Sequence, residues 1–190
     1  NNEDGAYKIG KVLSRKMIGL GIDNKKVGIV AIPQKRLNGQ LRTSGFMKAM
    51  KEAGIEGAGI KQQVDFSLKE TYELSKNLID NNDDLGAIWL QGSDKYKGAL
   101  QAIEEAGKKD EILLLTFDAE PEFLDLIPQG VLVGSAMQQP YLMGQEAVRE
   151  IDKHLHGKKV EKNKKLEILA ISERNIIEKL PIIKRNVLGI

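Results

Sequence analysis

Asp118 is the residue with the clearest chemical potential in this sequence. It directly follows the apolar run Leu113–Phe117, and Pro121 comes soon after it. Such a run is typical of a buried parallel strand, and a proline at this distance favours the start of a helix. The carboxyl ends of strands in open α/β sheets form the edge where ligands bind. A carboxylate there needs hydrogen-bond partners, since an unpaired buried charge is costly. Ligand hydroxyls, Arg42 or helix amides could supply them.

Arg42, Phe66 and Gln138 stand at comparable places, after predicted strands or near helix starts. A guanidinium offers five fixed donors, which suit hydroxyls or a carboxylate; an exposed arginine at a helix start is the alternative. The Phe66 ring could stack on the apolar face of a sugar or belong to the core. The neighbouring Asp65 is equally interpretable as a residue at a helix entry. Together these residues predict a polar pocket for a small molecule.

The loop Gln91-Gly92-Ser93-Asp94 follows another predicted strand. Ser93 and Asp94 are residue types that cap helices, so one of them is expected to cap the next helix. A phosphate-binding loop fits poorly, because the glycine-lysine-serine/threonine ending is absent. Ser93 and Asp94 therefore remain candidates both for capping and for ligand contact.

Catalytic and metal sites find little support. The chain has no cysteine, and its two histidines, His154 and His156, stand among lysines at a predicted helix end without a third ligand. There is no glycine-x-serine-x-glycine elbow. The loop after the first predicted strand reads Pro33-Gln34-Lys35, which lacks the acidic pair of a phosphoacceptor domain. We therefore expect no metal, no cofactor and no enzymatic activity.

The overall composition describes a globular chain with a solvated surface. Of the 190 residues, 41% are hydrophobic, and 29 basic and 27 acidic residues give a net charge of +2. Because the charges are intermixed, they predict no nucleic-acid or membrane partner. No apolar run approaches the ~20 residues of a membrane span, and no signal peptide is visible, as in a mature or trimmed chain.

Apolar periodicity predicts strands that alternate with helices, which indicates a parallel sheet covered on both faces. Gly54 and Gly157 are expected to end two of the helices, and Ser67 with Glu70 has the spacing of a capping box. The predicted fold class is thus α/β and Rossmann-like. The predicted strands are 27–32, 59–64, 87–90, 112–117, 131–137 and 166–171. The main predicted helices are 4–20, 41–53, one that starts at Ser67 with Tyr72, Leu74 and Leu78 on its inner face, one from Ser93 or Asp94 to Gly107, and one from Pro140 to about His156.

Several of these segments, in this order and spacing, resemble the ribose-binding-protein branch of the type I periplasmic binding proteins. That group includes the effector domains of lactose-repressor-like regulators. The resemblance covers about residues 1 to 175. It rests on Arg42–Phe46, Gln62–Phe66, Ala87–Asp94 with Gly98-Ala99, Glu105–Lys108, Thr116–Asp118 and Gln138–Gly144.

The resemblance implies that Arg42, Phe66, Asp118 and Gln138 contact a sugar or a related polar solute between two lobes. A family asparagine falls on Gly92, so its contact is lost or passes to Ser93 or Asp94. The implied function is solute binding for an ABC-type import system, outside the cytoplasm and with a membrane permease as partner. The alternative is a ligand-sensing domain of a membrane sensor or of a cytoplasmic transcriptional regulator.

The length of the chain departs from the family, because most of a first lobe would precede residue 1. The expected organisation is a second lobe over residues 1–137, a crossover and helix over 138–164 that normally packs on the first lobe, and a returning strand and tail over 165–190. The apolar side of helix 140–157 would then lack its partner. We expect a homodimer or swapped arrangement of this segment, and weak or no sugar binding because half of the pocket is absent.

Overall fold

The computed structural model describes all residues from 1 to 190. Its order of elements confirms the predicted alternation of strands and helices. The helices are α1 (Asn2–Gly19), α2 (Leu37–Glu52), α3 (Leu68–Asp80), α4 (Tyr96–Glu105), α5 (Phe123–Leu126), α6 (Pro140–Leu155) and α7 (Ile176–Ile182), and a π-helical segment, Ile183–Leu188, follows α7. The strands are β1 (Lys26–Ala31), β2 (Gly57–Gln62), β3 (Leu85–Leu90), β4 (Leu113–Phe117), β5 (Gly134–Met137) and β6 (Leu169–Ser172).

All six strands form one sheet in the order β2-β1-β3-β4-β5-β6. The first five are parallel, and β6 pairs antiparallel with β5. The chain moves to one side of β1 to form β2 and to the other side to form β3. This reversal between β1 and β3 is a topological switch point, and ligands of open α/β sheets bind at the carboxyl ends of the strands beside such a point.

Two apolar cores lie on opposite faces of the sheet because successive residues of a strand point to opposite sides. Ile29 and Ala31 of β1 join the core under α1 and α2, whereas Val30 joins the core under α3 and α4. In the first core Phe46 stacks on Trp89 with ring centroids 4.0 Å apart. β3 and most of β4 are buried on both faces, as their unbroken apolar runs predict.

Helices α1 and α2 pack at very short range. A Cβ atom built on Gly45 would lie 2.0 Å from the carbonyl oxygen of Glu3, so only glycine allows this contact. The approach places the amino-terminal turn of α1 beside the middle of α2. It thereby brings Asn2 next to Arg42, which matters for the site described below.

The caps of the helices agree with the sequence in part. Gly54 and Gly157 have φ values of +72° and +66° and follow α2 and α6 as expected. Ser67 accepts a hydrogen bond from the Glu70 amide at 2.9 Å, but the Glu70 carboxylate turns back to the amides of residues 64–66 rather than to Ser67.

The expectation that Ser93 or Asp94 caps α4 was wrong. The helix begins at Tyr96 after Lys95, and no side chain caps it. The hydroxyl of Ser93 instead donates to the Glu120 carboxylate at 2.7 Å, and Asp94 pairs with Lys95. Because the Ser93 hydroxyl is bonded to the Glu120 carboxylate, it does not cap α4.

The carboxyl-terminal segment and α6 are packed very differently. Ile176, Ile183 and Val187 are buried in the core on the α3 and α4 side, so the predicted tail is docked on the sheet. Asn186 donates from its amide to the Gln139 side chain at 2.8 Å. In contrast, α6 has no buried residue.

Candidate functional site

Asp118 occupies a constrained position at the carboxyl end of β4. Its φ of +70° lies in the left-handed region, which few residues adopt apart from glycine, asparagine and aspartate. Two contacts hold this backbone: the Asp118 amide donates to the Ala136 carbonyl at 2.9 Å, and the Ser135 hydroxyl donates to the Asp118 carbonyl. The side chain remains 35% exposed, so the backbone fixes a carboxylate that solvent and ligands can reach.

The guanidinium of Arg42 lies almost completely buried next to this carboxylate. Its Nη1 is 3.3 Å from Oδ2 of Asp118 and also donates to the Gln91 carbonyl, and its Nε donates to Oδ1 of Asn2 at 2.8 Å. Its Cζ lies 3.7 Å from the centroid of the Phe117 ring, a cation–π contact. Burial lowers the pKa of Arg42, and the Asp118 charge opposes that shift, so the group stays cationic at neutral pH.

Gln138 completes the site from the end of β5. Its Nε2 donates to Oδ1 of Asp118, while Arg42 donates to Oδ2. We call Arg42, Asp118 and Gln138 the Asp118 cluster. Each carboxylate oxygen keeps a free lone pair, so the cluster can still accept hydrogen bonds from a ligand.

Phe66 lies apart from the Asp118 cluster. It follows β2, which β1 and β3 separate from β4, a distance of about 14 Å across three strand spacings. Its φ is +59°, its side chain is half-buried, and the Arg36 guanidinium lies 5.3 Å from its ring centroid. The structure therefore places Phe66 at the same edge of the sheet, and its contact with a ligand stays a prediction.

The residues of the loop after β3 differ in their exposure at this edge of the sheet. Ser93 is buried and bonded to Glu120, whereas Asp94 is exposed and lies 2.8 Å from the Lys95 amine. A Cβ atom on Gly92 would have only the Asp94 carboxylate near it, at 3.9 Å. The loop thus leaves open space at residue 92, and ligand contact by Ser93 or Asp94 stays a prediction.

Residues 1–159 match the family described as "Periplasmic binding protein domain". The chain belongs to the periplasmic binding protein family. The ribose import binding protein of Haemophilus influenzae is 30% identical to this chain over 177 residues. The aligned region covers 91% of the chain and 57% of that relative. The HTH-type transcriptional repressor PurR of Klebsiella pneumoniae is 29% identical over 118 residues, 60% of the chain and 34% of the repressor.

Solved structures show the same fold for this binding-protein chain. A periplasmic solute-binding protein of an ABC transporter from Actinobacillus succinogenes, solved with bound D-allose, matches with a TM-score of 0.84 and 19% identity. The match covers 94% of the chain and 61% of that structure. The chain thus spans about three fifths of the length of these proteins.

Two residues contact the Arg42 guanidinium, Asn2 and Gln91, and the sequence assigned neither of them to that role. Asn2 and the Gln91 carbonyl accept hydrogen bonds from its guanidinium. Gln91 in turn donates from its amide to the Thr43 hydroxyl at 2.7 Å, and its own side-chain oxygen is buried without a partner. The role of Gln91 could have been predicted, because it directly follows the strand β3. The contact of Asn2 with α2 could not, because the two segments are far apart in the sequence.

Two further findings concern chemistry and membranes. No three histidine, cysteine or acidic side chains come close enough together to form a metal site. None of the helices combines the length and the apolar character that crossing a bilayer requires.

Proposed function

We propose that this chain binds a sugar at the Asp118 cluster. The observation that carries the proposal is the pairing of Asp118 with Arg42 and Gln138 at the carboxyl edge of the sheet. A sugar hydroxyl both donates and accepts, so a carboxylate beside fixed N–H donors matches two adjacent hydroxyls. The cation is held in place by Asn2 and Gln91, so little side-chain ordering is left for the moment of binding.

The ligand class is a pentose or hexose. The relative from Haemophilus influenzae is named for ribose import, and the similar structure from Actinobacillus succinogenes contains D-allose. A family asparagine falls on Gly92, so this loop supplies no asparagine contact to the sugar.

The proposal includes the division of the chain into segments that the sequence predicted. Residues 1–137 form the wall that carries most of the site, and α6 within 138–164 packs against a further lobe in the whole protein. Support comes from α6, where Val148 is 67% exposed and Leu155 is 76% exposed. With one wall and a carboxylate open to solvent, the chain alone should hold a sugar weakly.

An NMR titration of the 190-residue chain with D-ribose and D-allose tests the site. We expect the amides near Arg42, Asp118 and Gln138 to shift at millimolar sugar. Asp118→Asn should abolish the shifts. Asp84→Asn is the matched control, since Asp84 also forms an ion pair, with Lys26 at 2.9 Å, but at the opposite edge. Absence of shifts with every pentose and hexose, or equal shifts in Asp118→Asn, would disprove the proposal.

In the whole protein we propose solute capture for an ABC-type importer, outside the cytoplasm and with a membrane permease as partner. The role is binding without catalysis, because the Asp118 cluster has no nucleophile with an adjacent base. Co-purification of the full-length protein with its permease in the presence of the sugar tests this role. A full-length protein that binds sugar but no permease would contradict it.

A second candidate is the ligand-sensing domain of a regulator, and the match to the transcriptional repressor PurR favours it. The two functions share the site and differ in what the whole protein carries. A helix-turn-helix domain joined to this chain, with sugar-dependent DNA binding, would decide for the regulator and for a cytoplasmic location.

A further inference from the structure

A second concavity lies at the opposite edge of the sheet from the Asp118 cluster. Its volume is about 470 Å³, within the range of small-molecule sites. It reaches Leu113, the first residue of β4, whereas Asp118 follows the last residue of the same strand. Five residues of strand separate them, about 16 Å. We call this concavity the α1–β6 groove.

The groove follows from the number of elements on this face. On this face only α1 and α2 pack against the six-stranded sheet, and the apolar residues beside α1 stay half-buried. The uncovered part lies along α1, beside the entry to β5 and the end of β6. Its floor is apolar, with Val12, Leu113 and Val133, which are half-buried and belong to the α1 and α2 side of the sheet.

The charges around this floor are predominantly positive. Five basic side chains line the groove against one acidic side chain, Glu173; the five are Lys8, Lys11, Arg15, Lys16 and Arg174. The three lysines already have carboxylate partners within 4.0 Å. Arg15 and Arg174 have none, and both are exposed.

We propose that the α1–β6 groove binds a small amphipathic carboxylate. Arg15 and Arg174 pair with the carboxylate group, since a guanidinium presents a planar fork of donors that fits it. The apolar body lies on Val12, Leu113 and Val133, where it removes half-exposed apolar surface from water. The site is independent of the Asp118 cluster and does not rest on sugar binding.

Benzoate and its uncharged analogue benzyl alcohol test this proposal with the chain as it exists. We expect benzoate to shift the backbone amides of Val12, Leu113 and Val133 in NMR spectra and to leave the Asp118 cluster unchanged. Benzyl alcohol should bind at least tenfold more weakly, a difference of about 1.4 kcal/mol. The affinity for benzoate should also fall as salt is added.

The double variant Arg15→Gln/Arg174→Gln should lose at least tenfold in benzoate affinity with an unchanged melting temperature, because both side chains are exposed. Arg149→Gln on α6 is the matched control and should bind benzoate like the wild type. Equal binding of the two probes, an unaffected double variant, or benzoate shifts located on α6 would each overturn the proposal.

Discussion

Replacement of Asp118 by asparagine should destabilise the fold by about 2 kcal/mol, because it removes the carboxylate that pairs with the buried Arg42. At the 3.3 Å that separates Nη1 from Oδ2, Coulomb's law gives about 1.3 kcal/mol in water and about 5 kcal/mol at an effective dielectric constant of about 20. The Asp118 side chain is 35% exposed, which places the net value in the lower part of this interval. Asparagine keeps the shape and tolerates the positive φ, so backbone strain adds little.

Urea unfolding of a double-mutant cycle measures this pair. For a chain of this size, about 2 kcal/mol corresponds to a melting temperature lower by about 4–8 °C. Combining Asp118→Asn with Arg42→Met should cost less than the sum of the two single changes, by about 1–2 kcal/mol. Asp84→Asn, which breaks an exposed pair with Lys26, should change stability by less than about 1 kcal/mol. If the stability loss of the double variant equals the sum of the two single losses within about 0.5 kcal/mol, Arg42 and Asp118 are not coupled.

Three more predictions concern packing, pH and association. Gly45→Ala should lower the free energy of unfolding by about 1–3 kcal/mol, because the added Cβ meets the backbone of α1. Urea unfolding measures this change, and an unchanged stability would mean that α1 can move away from α2. A hydrogen bond from Lys164 lowers the pKa of Glu146 below its usual 4.5. The ion pair therefore stabilises loop 158–165 above pH 4.5, and this stabilisation is lost as the pH falls through the lowered pKa. A carboxyl NMR titration measures this pKa, which Lys164→Gln should raise. The exposed Val148 and Ile151 should drive dimerisation through α6, so light scattering should detect a dimer for the wild type and a monomer for their double glutamate variant.

The sequence predicted the fold best where both faces of a strand are buried. The start of β4 was located within one residue, since a strand buried on both faces is a nearly continuous apolar run, here interrupted only by Thr116. β2 was predicted two residues too late. It is an edge strand with mostly exposed residues and a bulge at Ala58, so its sequence lacks the alternation that fixes a register.

The site could be predicted where it depends on position after a strand. Asp118 and Gln138 follow the neighbouring strands β4 and β5, and they do meet. The support of Arg42 by Asn2 could not be predicted, because it depends on the close packing of two helices that a glycine permits. Ser93 was misassigned for a related reason: its partner Glu120 is distant in sequence and competes with the helix end.

The docked carboxyl-terminal segment has a consequence for how this protein is made. On a ribosome, β1 to β5 emerge before β6, α7 and the π-helical segment that complete the sheet and cover its core. The bond from Asn186 to Gln139 joins residues 47 positions apart. During synthesis the nascent chain therefore carries an incomplete core with the free edge of β5 open to wrong pairing. Stalling before residue 169 should leave a chain that depends on chaperones, and synthesis and docking of residues 169–188 should end that dependence.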